Sequence, residues 1–485
     1  MTKIAMSTLF VDYYSLIMAQ GYWKKGMHVQ TVFEMFFRKH PFKGGFSVFA
    51  GLGTLLEKLQ SLAFSDDDIE YLSGLGFDNG FLDYLKTFRF SGSLWAMQEG
   101  TIVFPKEPLI RVSGSLIECQ LIEGMLLNVI NFQSLIATKT ARVVLAAKKS
   151  SVIEFGLRRA PGPDGALSAS RAAFIGGAAG TSNVLAGKTF GIPIIGTMAH
   201  SWVMAWPSEE EAFSAFAELY PDKSVFLIDT YNTLKSGIKN AIKIGKPLVS
   251  AGKTFGVRLD SGDIHYLSIE VRKMLDAAGL NDVSISVSND LDEHIIKTLT
   301  DAGAPVDIWG VGTQMVTGGT DAAFTGVYKL CSSENKNGKQ SAKIKFSEDP
   351  EKTSNPGIKQ VWRITDTHGM YIADVLALEE PGGNDIIEKG KQYTFWHPSA
   401  DYRCFNHRLE GNVMPLLTEY LRDGKPVTKQ ASLPDIQAGV RLGLEKLDQS
   451  YTRILNPHVY KVSITEQLRS LKLELIKNYL GEFNL

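Results

Sequence analysis

The sequence predicts an α/β fold built on a parallel sheet, and three observations predict it. From residue 151 to about residue 313, six short apolar runs alternate with five segments whose apolar residues recur at helical spacing. The helical segments carry their own punctuation: Ser208 followed by Glu211 makes a capping box, and Gly279 and Gly303 stop the fourth and fifth. Each apolar run also ends in polar or glycine-rich residues, the pattern expected where strands deliver chemistry to one rim.

Residues 1 to about 140 come first and mix the two periods. "GYWKKGMHVQTVFEMFFRKHPFKGGFSVFAGLGTLLEKL" offers aromatic-rich strands around a Pro-Phe-Lys-Gly-Gly turn. The strands of the regular part are then "SVIEFGL", "IPIIGTM", "SVFLID", "TFGVRL", "VSISVS" and "VDIWGVG". Between them lie the helices "NVLAGKTF", "SEEEAFSAFAELY", "TLKSGIKNAIKIG", "IHYLSIEVRKMLDAAG" and "LDEHIIKTLTDAG". Strands that alternate with helices pair in parallel, in a sheet either doubly wound or closed as a TIM-like barrel. After about residue 320, "VYKLCSSENKNGKQSAKIKFSE" reads as a hairpin turning at Asn337-Gly338. Strands "QVWRI" and "MYIADVLAL" and amphipathic helices "ASLPDIQAGVRLGLEKLDQ" and "SITEQLRSLKLELIKNYL" complete the chain. The expected divisions are an N-terminal α+β domain at 1–140, an α/β barrel carrying the site at 141–325, and a C-terminal α+β region at 326–485, part of it packing back on the N-terminal domain.

Composition narrows the partners. Over 485 residues, 51 Lys and Arg balance 52 Asp and Glu, so no global field attracts nucleic acid or an acidic membrane. The three cysteines, Cys119, Cys331 and Cys404, form no CxxC pair, which fits a reducing compartment, excludes a structural zinc spacing and predicts packed thiols. Lys3 precedes an apolar run, but Asp12 interrupts it after about eight residues, no cleavage pattern follows, and no segment approaches the ~18 apolar residues of a membrane span. A soluble, cytoplasmic protein is expected.

The strand ends define the candidate site. In order they are Arg158-Arg159, His200-Ser201, Asp229-Thr230, the group Arg258, Asp260, Ser261 and Asp263, then Ser288-Asn289-Asp290, and Gly310-Val311-Gly312-Thr313. Any one ending reads equally well as a solvated loop, but six together on one rim read as a site. "GVGT" and "DSGD" are turns whose N–H groups and hydroxyls can close around phosphate, and the arginines suit phosphate or carboxylate oxygens. Asp260, Asp263 and Asp290 can hold ribose hydroxyls or Mg²⁺, an ion that takes one or two carboxylates and completes its shell with water and phosphate. No histidine spacing suggests zinc. "GTSNVLAGKT" is not a P-loop, because six residues separate Gly180 from Gly187 where four are required; a GxGxxG and a GxSxG are also missing.

The string "EFGLRRAPGPDGALSASRAAFIGGAAGTSNVLAGKTFGIPIIGTMAHS", residues 154–201, resembles the nicotinate phosphoribosyltransferase family. "VDYYSLIMAQGYW", "PFKGGFSVFAGL", "GVRLDSGD", "SVSNDLDE", "WGVGTQMVT" and "NPGIKQVWR" extend the resemblance over most of the chain in the family's order. It implies a three-domain enzyme with an irregular TIM-like α/β barrel, acting as a homodimer that completes each site. Nicotinate, phosphoribosyl pyrophosphate and ATP are the implied ligands, with Mg²⁺ as cofactor and ATP hydrolysis coupled through a phosphohistidine. On that resemblance the phosphohistidine falls on His200. Arg158 and Arg258 fall around the substrate's carboxylate and phosphates, and Gly310, Gly312 and Thr313 in the 5′-phosphate cradle. Asp260, Ser261 and Asp290 fall among the substrate contacts, Asp260 and Asp290 also as Mg²⁺ ligands. Tyr14 is expected to reach the nicotinate ring from the neighbouring subunit, although "DYYS" departs from the family's "DLYQ"-like pattern around it.

Ser182 bears on specificity. The related nicotinamide enzymes resemble this chain but carry an Asp in the loop that here reads "GTSNVLAG", where an acceptor suits a neutral amide. A serine hydroxyl donates to a carboxylate without repulsion, so nicotinate is the expected substrate. Quinolinate phosphoribosyltransferase would need further basic residues for a second carboxylate, and a non-catalytic relative should have lost His200, an arginine or "GVGT".

Overall fold

The computed structural model describes residues 7–482 apart from 336, 381–382, 385–386 and 401. The chain divides into two compact units, residues 136–322 and residues 1–135 together with 323–485.

The unit at 136–322 holds six strands, β1 (Ser151–Glu154), β2 (Gly180–Thr181), β3 (Ser224–Leu227), β4 (Phe255–Leu259), β5 (Ser284–Asn289) and β6 (Ile308–Val311). All pair in parallel, in the order β2-β1-β6-β5-β4-β3. The first strand therefore pairs with the last, and every other neighbour is consecutive. That is the cyclic order of a barrel opened at one place, between β2 and β3. Nothing among the described residues joins those two strands by main-chain hydrogen bonds, so the sheet is parallel and curved in order but not closed by its ladder. The reason lies in the run expected as the second strand. "IPIIGTM" forms only a single parallel bridge, Ile194 to Thr181, because Pro193 has no N–H to give. The strand beside it is instead the unexpected Gly180–Thr181.

Helices connect the strands as the periodicity predicts. Ser208 accepts the Glu211 N–H at 3.2 Å ahead of helix Glu209–Leu219, and Gly279 and Gly303 follow helices Ile264–Ala277 and Glu293–Asp301 with φ of +76° and +81°. A helix at Gly162–Ile175 was not read from the sequence; it opens on Gly-Pro, where proline tolerates the first turn. No helix among the described residues is long and apolar enough to cross a membrane.

The other unit is organised by two mainly antiparallel sheets. The first runs Gln340–Ala342, Gly326–Glu334, Gln30–Phe37, Ile110–Ser115, Ser93–Ala96, Thr418–Arg422, Lys425–Pro426, so strands from both ends of the chain share one ladder. The hairpin joins Gly326–Glu334 to Gln340–Ala342, with Gly338 at φ +73°. Phe33, Met35, Phe37 and Val112 lie in its core. The second sheet contains Tyr371–Glu380, Lys359–Thr365 and the edge strand Cys404–Arg408. Cys119 and Cys331 are buried, and burial pushes the Cys119 thiol up to about 12. Cys404 is exposed on that edge strand, which corrects the expectation of three packed thiols.

A buried carboxyl cluster lies between the second sheet and the segment 104–107. Asp374 accepts from Arg363 Nε at 2.9 Å and from the Tyr460 hydroxyl at 3.2 Å. Glu107, wholly buried beside it, accepts the Phe104 N–H at 3.1 Å. Burial, and then the neighbouring Asp374 carboxylate, hold Glu107 well above the usual carboxylate range and so favour its neutral acid. Below the ordinary carboxylate range folded and unfolded chains both keep that proton; above it only the folded chain does. Stability therefore falls as pH rises, by about 1.4 kcal/mol per unit until Glu107 ionises in the fold. Glu107→Gln keeps the shape and removes the proton, so its urea midpoint should gain on the unaltered protein steadily from pH 5 to pH 8. Parallel midpoints for the two proteins across that range would show that Glu107 is ionised.

Candidate functional site

The site is assembled at the carboxyl ends of β1 to β6, and its foundation is Glu154, the last residue of β1. Glu154 is wholly buried, and its carboxyl accepts the Gly156 N–H, the Ser170 hydroxyl at 2.9 Å and the Thr181 hydroxyl at 2.5 Å. Thr181 in turn accepts the Asn183 N–H at 2.9 Å, and the Ser182 N–H reaches the Glu154 carbonyl at 3.0 Å. One side chain thus fixes the turn Leu157–Arg159 that exposes Arg158 and the loop that holds Ser182 half-buried. Sequence reading quoted Glu154 without singling it out; an acidic residue inside an apolar strand was the available signal.

The ends of β3, β4 and β5 bind one another. Asp229 Oδ2 accepts the Asp260 N–H at 2.9 Å and the Ser261 hydroxyl at 2.6 Å, clamping the loop after β4 to the end of β3. Ser288 donates its hydroxyl to Asp260 Oδ1. His200, the first residue of helix His200–Met204, has Nδ1 3.0 Å from Thr230 Oγ1 and Nε2 3.6 Å from Asp260 Oδ2. Arg258 donates to the Thr197 hydroxyl and to the Met198 carbonyl at 3.2 Å. Segment 197–200 is thereby tied by side chains to the strands that its backbone does not reach.

Burial lowers the Arg258 pKa, Asp260 and Asp229 oppose that shift, and the nearby Arg158 adds to it. Arg158, in the turn after β1, and Arg258, on β4, therefore lie within electrostatic reach of one another and of two carboxylates. Arg258 Nε and Asp229 Oδ1 are buried with no protein partner.

The remaining expected residues divide. Gly310 answers to packing, since a Cβ there would lie 2.5 Å from the Phe155 ring; at Gly312 the nearest atom would be the Phe155 carbonyl oxygen at 3.3 Å. Thr313 opens the short helix Thr313–Val316. Asp290 is exposed, its N–H held by Asn289 Oδ1 at 2.7 Å, and its carboxylate takes no part in the Asp229–Asp260 network. Among the described residues no group of three or more His, Cys, Asp or Glu is placed to ligate a metal. Tyr14 lies in the other unit, 49% exposed on helix Tyr13–Lys24, beside Phe10, Tyr13, Ile17 and Met18, which are also exposed. Burial and Glu123 raise its pKa. Glu123 also lies within electrostatic reach of Lys329, whose pKa is lowered by burial and by Lys345 and Arg38. Sequence reading missed these three cations, because Arg38 lies nearly 300 residues before Lys329 and Lys345 and the three share no motif.

Three family descriptions match the chain: the nicotinate phosphoribosyltransferase (NAPRTase) N-terminal domain at residues 9–131, the NAPRTase family at 150–330, and the NAPRTase C-terminal domain at 358–472. A nicotinate phosphoribosyltransferase of Bacillus subtilis (strain 168) is 42% identical, with 97% of this chain and 95% of that one covered. The crystal structure of human nicotinic acid phosphoribosyltransferase superposes with a TM-score of 0.83 at 30% identity, covering 96% of this chain and 99% of that one. The nicotinate-nucleotide pyrophosphorylase of Pyrococcus furiosus shares the fold, with a TM-score of 0.68 at 24% identity over 92% of this chain and 99% of that one.

The clamp on the loop after β4 is testable without any ligand. Asp229→Ala removes the acceptor for two donors, so hydrogen exchange at residues 260–263 should accelerate by about tenfold to a hundredfold. Unchanged protection there would mean that the loop holds itself.

Proposed function

The chain belongs to the nicotinate phosphoribosyltransferase family, and from that premise we propose the chemistry of its rim. Nicotinate displaces pyrophosphate from 5-phosphoribosyl 1-pyrophosphate, giving nicotinate mononucleotide on a salvage route to NAD. ATP and water become ADP and phosphate through a transient phosphohistidine at His200. The observation that carries this reading is the meeting of Arg158 and Arg258 within one field, on the rim that also holds His200 and Asp260.

The residue types suit that reaction. The transition state is oxocarbenium-like: the leaving pyrophosphate gains negative charge and the ribose gains positive charge. Arg158 and Arg258 answer the first, and Asp260 lies where it can answer the second. The pyridine nitrogen of nicotinate is unprotonated at neutral pH, so no strong general base is required. The Ser182 hydroxyl donates to the nicotinate carboxylate, and the turn Gly310–Thr313 with Ser261 receives the 5′-phosphate. Mg²⁺ bound with the diphosphate supplies charge neutralisation. Asp260, with Oδ2 directed only toward His200 at 3.6 Å, fits it as one carboxylate ligand, and Asp290 joins only if its loop turns inward.

A homodimer completes the site in this reading. The exposed apolar face around Tyr14, with Ile17 and Met18, is suited to a second copy. It would bring Tyr14 to the nicotinate ring, and Arg38, Lys329 and Lys345, crowded with too little countercharge, to the phosphates. The three-part division at 1–140, 141–325 and 326–485, closure of the parallel sheet as an irregular TIM-like barrel, and a cytoplasmic location belong to the same proposal. The three consecutive family matches and the cyclic strand order support the first two.

Purified protein given phosphoribosyl pyrophosphate and Mg²⁺ should form mononucleotide from nicotinate in preference to nicotinamide, with ATP stimulating turnover. His200→Ala should abolish both the acid-labile phosphoenzyme and the ATP stimulation; full ATP-coupled turnover by that variant would remove His200 from the cycle. Ser182→Asp sets a second carboxylate against nicotinate, so its kcat/KM for nicotinate should fall by roughly a hundredfold or more. Retained nicotinate preference in that variant would locate carboxylate recognition elsewhere.

A further inference from the structure

Resting on the phosphohistidine reading, we infer that Thr230 is a positioning residue that holds His200 by Nδ1 and so commits Nε2 to the phosphoryl group. The geometry is specific. Thr230 Oγ1 is the hydrogen-bond partner of Nδ1 at 3.0 Å, whereas Nε2 faces the rim, 3.6 Å from Asp260 Oδ2, beyond hydrogen-bond length. Asp229, adjacent in sequence and the more obvious partner for an imidazole, does not take it: its Oδ2 holds the Asp260 N–H and the Ser261 hydroxyl, and its Oδ1 is buried without reaching the ring. The side chain next to it therefore takes the imidazole, and it is a hydroxyl rather than a carboxylate.

That difference has a chemical consequence. A hydroxyl can either donate to Nδ1 or accept from it by rotation alone, without moving the ring. With the proton on Nε2, directed toward Asp260, Thr230 donates to Nδ1 and the histidine cannot attack. With the proton on Nδ1, Thr230 accepts it and the Nε2 lone pair is free. That lone pair then forms a bond to the γ-phosphorus of ATP. The bond from that phosphorus to the bridging oxygen breaks, and ADP leaves with the electron pair. The ring, still carrying its Nδ1 proton, becomes a phosphorylated imidazolium whose positive charge the Thr230 oxygen stabilises. In the return step water attacks phosphorus, the N–P bond breaks with its electron pair returning to Nε2, and phosphate departs with both water protons. A carboxylate in place of Thr230 would hold the proton on Nδ1 throughout; a hydroxyl lets the nucleophile be switched on and off.

The test compares Thr230→Val, which keeps the shape and removes the hydroxyl, with Thr230→Ser, which keeps the hydroxyl. Full-length proteins are incubated with Mg²⁺ and γ-labelled ATP, and the phosphoenzyme is quantified and hydrolysed in alkali to separate the two phosphohistidine isomers. The unaltered protein should yield the Nε2 isomer alone. Thr230→Val should form phosphoenzyme about tenfold to a hundredfold more slowly, with the Nδ1 isomer appearing in what remains, and Thr230→Ser should restore both rate and isomer. A merely structural threonine would change the amount without changing the isomer. Thr230→Val with the Nε2 isomer at the unaltered rate would overturn the inference, as would Thr230→Ser behaving like Thr230→Val. Absence of any phosphoenzyme in the unaltered protein would overturn the His200 reading itself, and this inference with it.

Discussion

The buried carboxyl of Glu154 is the interaction on which the rim depends. A carboxyl group sealed inside a sheet is costly unless its lone pairs are occupied, and here one N–H and two hydroxyls occupy them. Those donors come from three places: the turn that follows β1, the helix Gly162–Ile175, and β2. The turn bearing Arg158 and the loop bearing Ser182 are therefore positioned by a single buried group. Phe155, the next residue, extends the effect by excluding any side chain at Gly310, which sets β6 close against β1.

On the other side of the sheet the same task falls to polar residues that also face the ligand. The main-chain ladder stops between β2 and β3, and the contacts that span this gap at the rim are Arg258 to Thr197 and Met198, and Thr230 to His200. Side-chain bonds can rearrange with protonation or charge, whereas a β-ladder cannot. His200, at this seam, is thus held by side chains rather than by a strand, an arrangement that suits the cycle proposed for it. The loop after β4 is likewise tied to the β3 end by one carboxylate, Asp229.

The sequence was most legible where one element sufficed. Strands β3 to β6 read correctly because each is a short apolar run between helices with clear caps, and the rim followed from their endings. It was least legible where two distant segments had to be known together. Gly180–Thr181 is a strand only because β1 and Ile194 flank it, and "IPIIGTM" looked like a full strand because propensity does not register the missing Pro193 donor. The ladder between Gln30–Phe37 and Gly326–Glu334 joins segments nearly 300 residues apart, beyond any periodicity argument. In the site, His200, Arg258 and Asp260 carried local signals and a family resemblance. Thr197 carried none, because its partner Arg258 lies 61 residues away, and the cations Arg38, Lys329 and Lys345 of the other unit carried none for the same kind of reason.

Two orphaned atoms on the rim fit a ligand that is both anionic and hydroxylated. Arg258 Nε is a buried donor and Asp229 Oδ1 a buried acceptor, each with no partner in the protein. An unmade bond of either kind costs about 1–3 kcal/mol, and a fold seldom retains two so near each other without a use. A phosphate oxygen satisfies the donor and a ribose hydroxyl satisfies the acceptor. One phosphorylated sugar carries a group for each of them, whereas a simple carboxylate has no donor to offer Asp229 Oδ1.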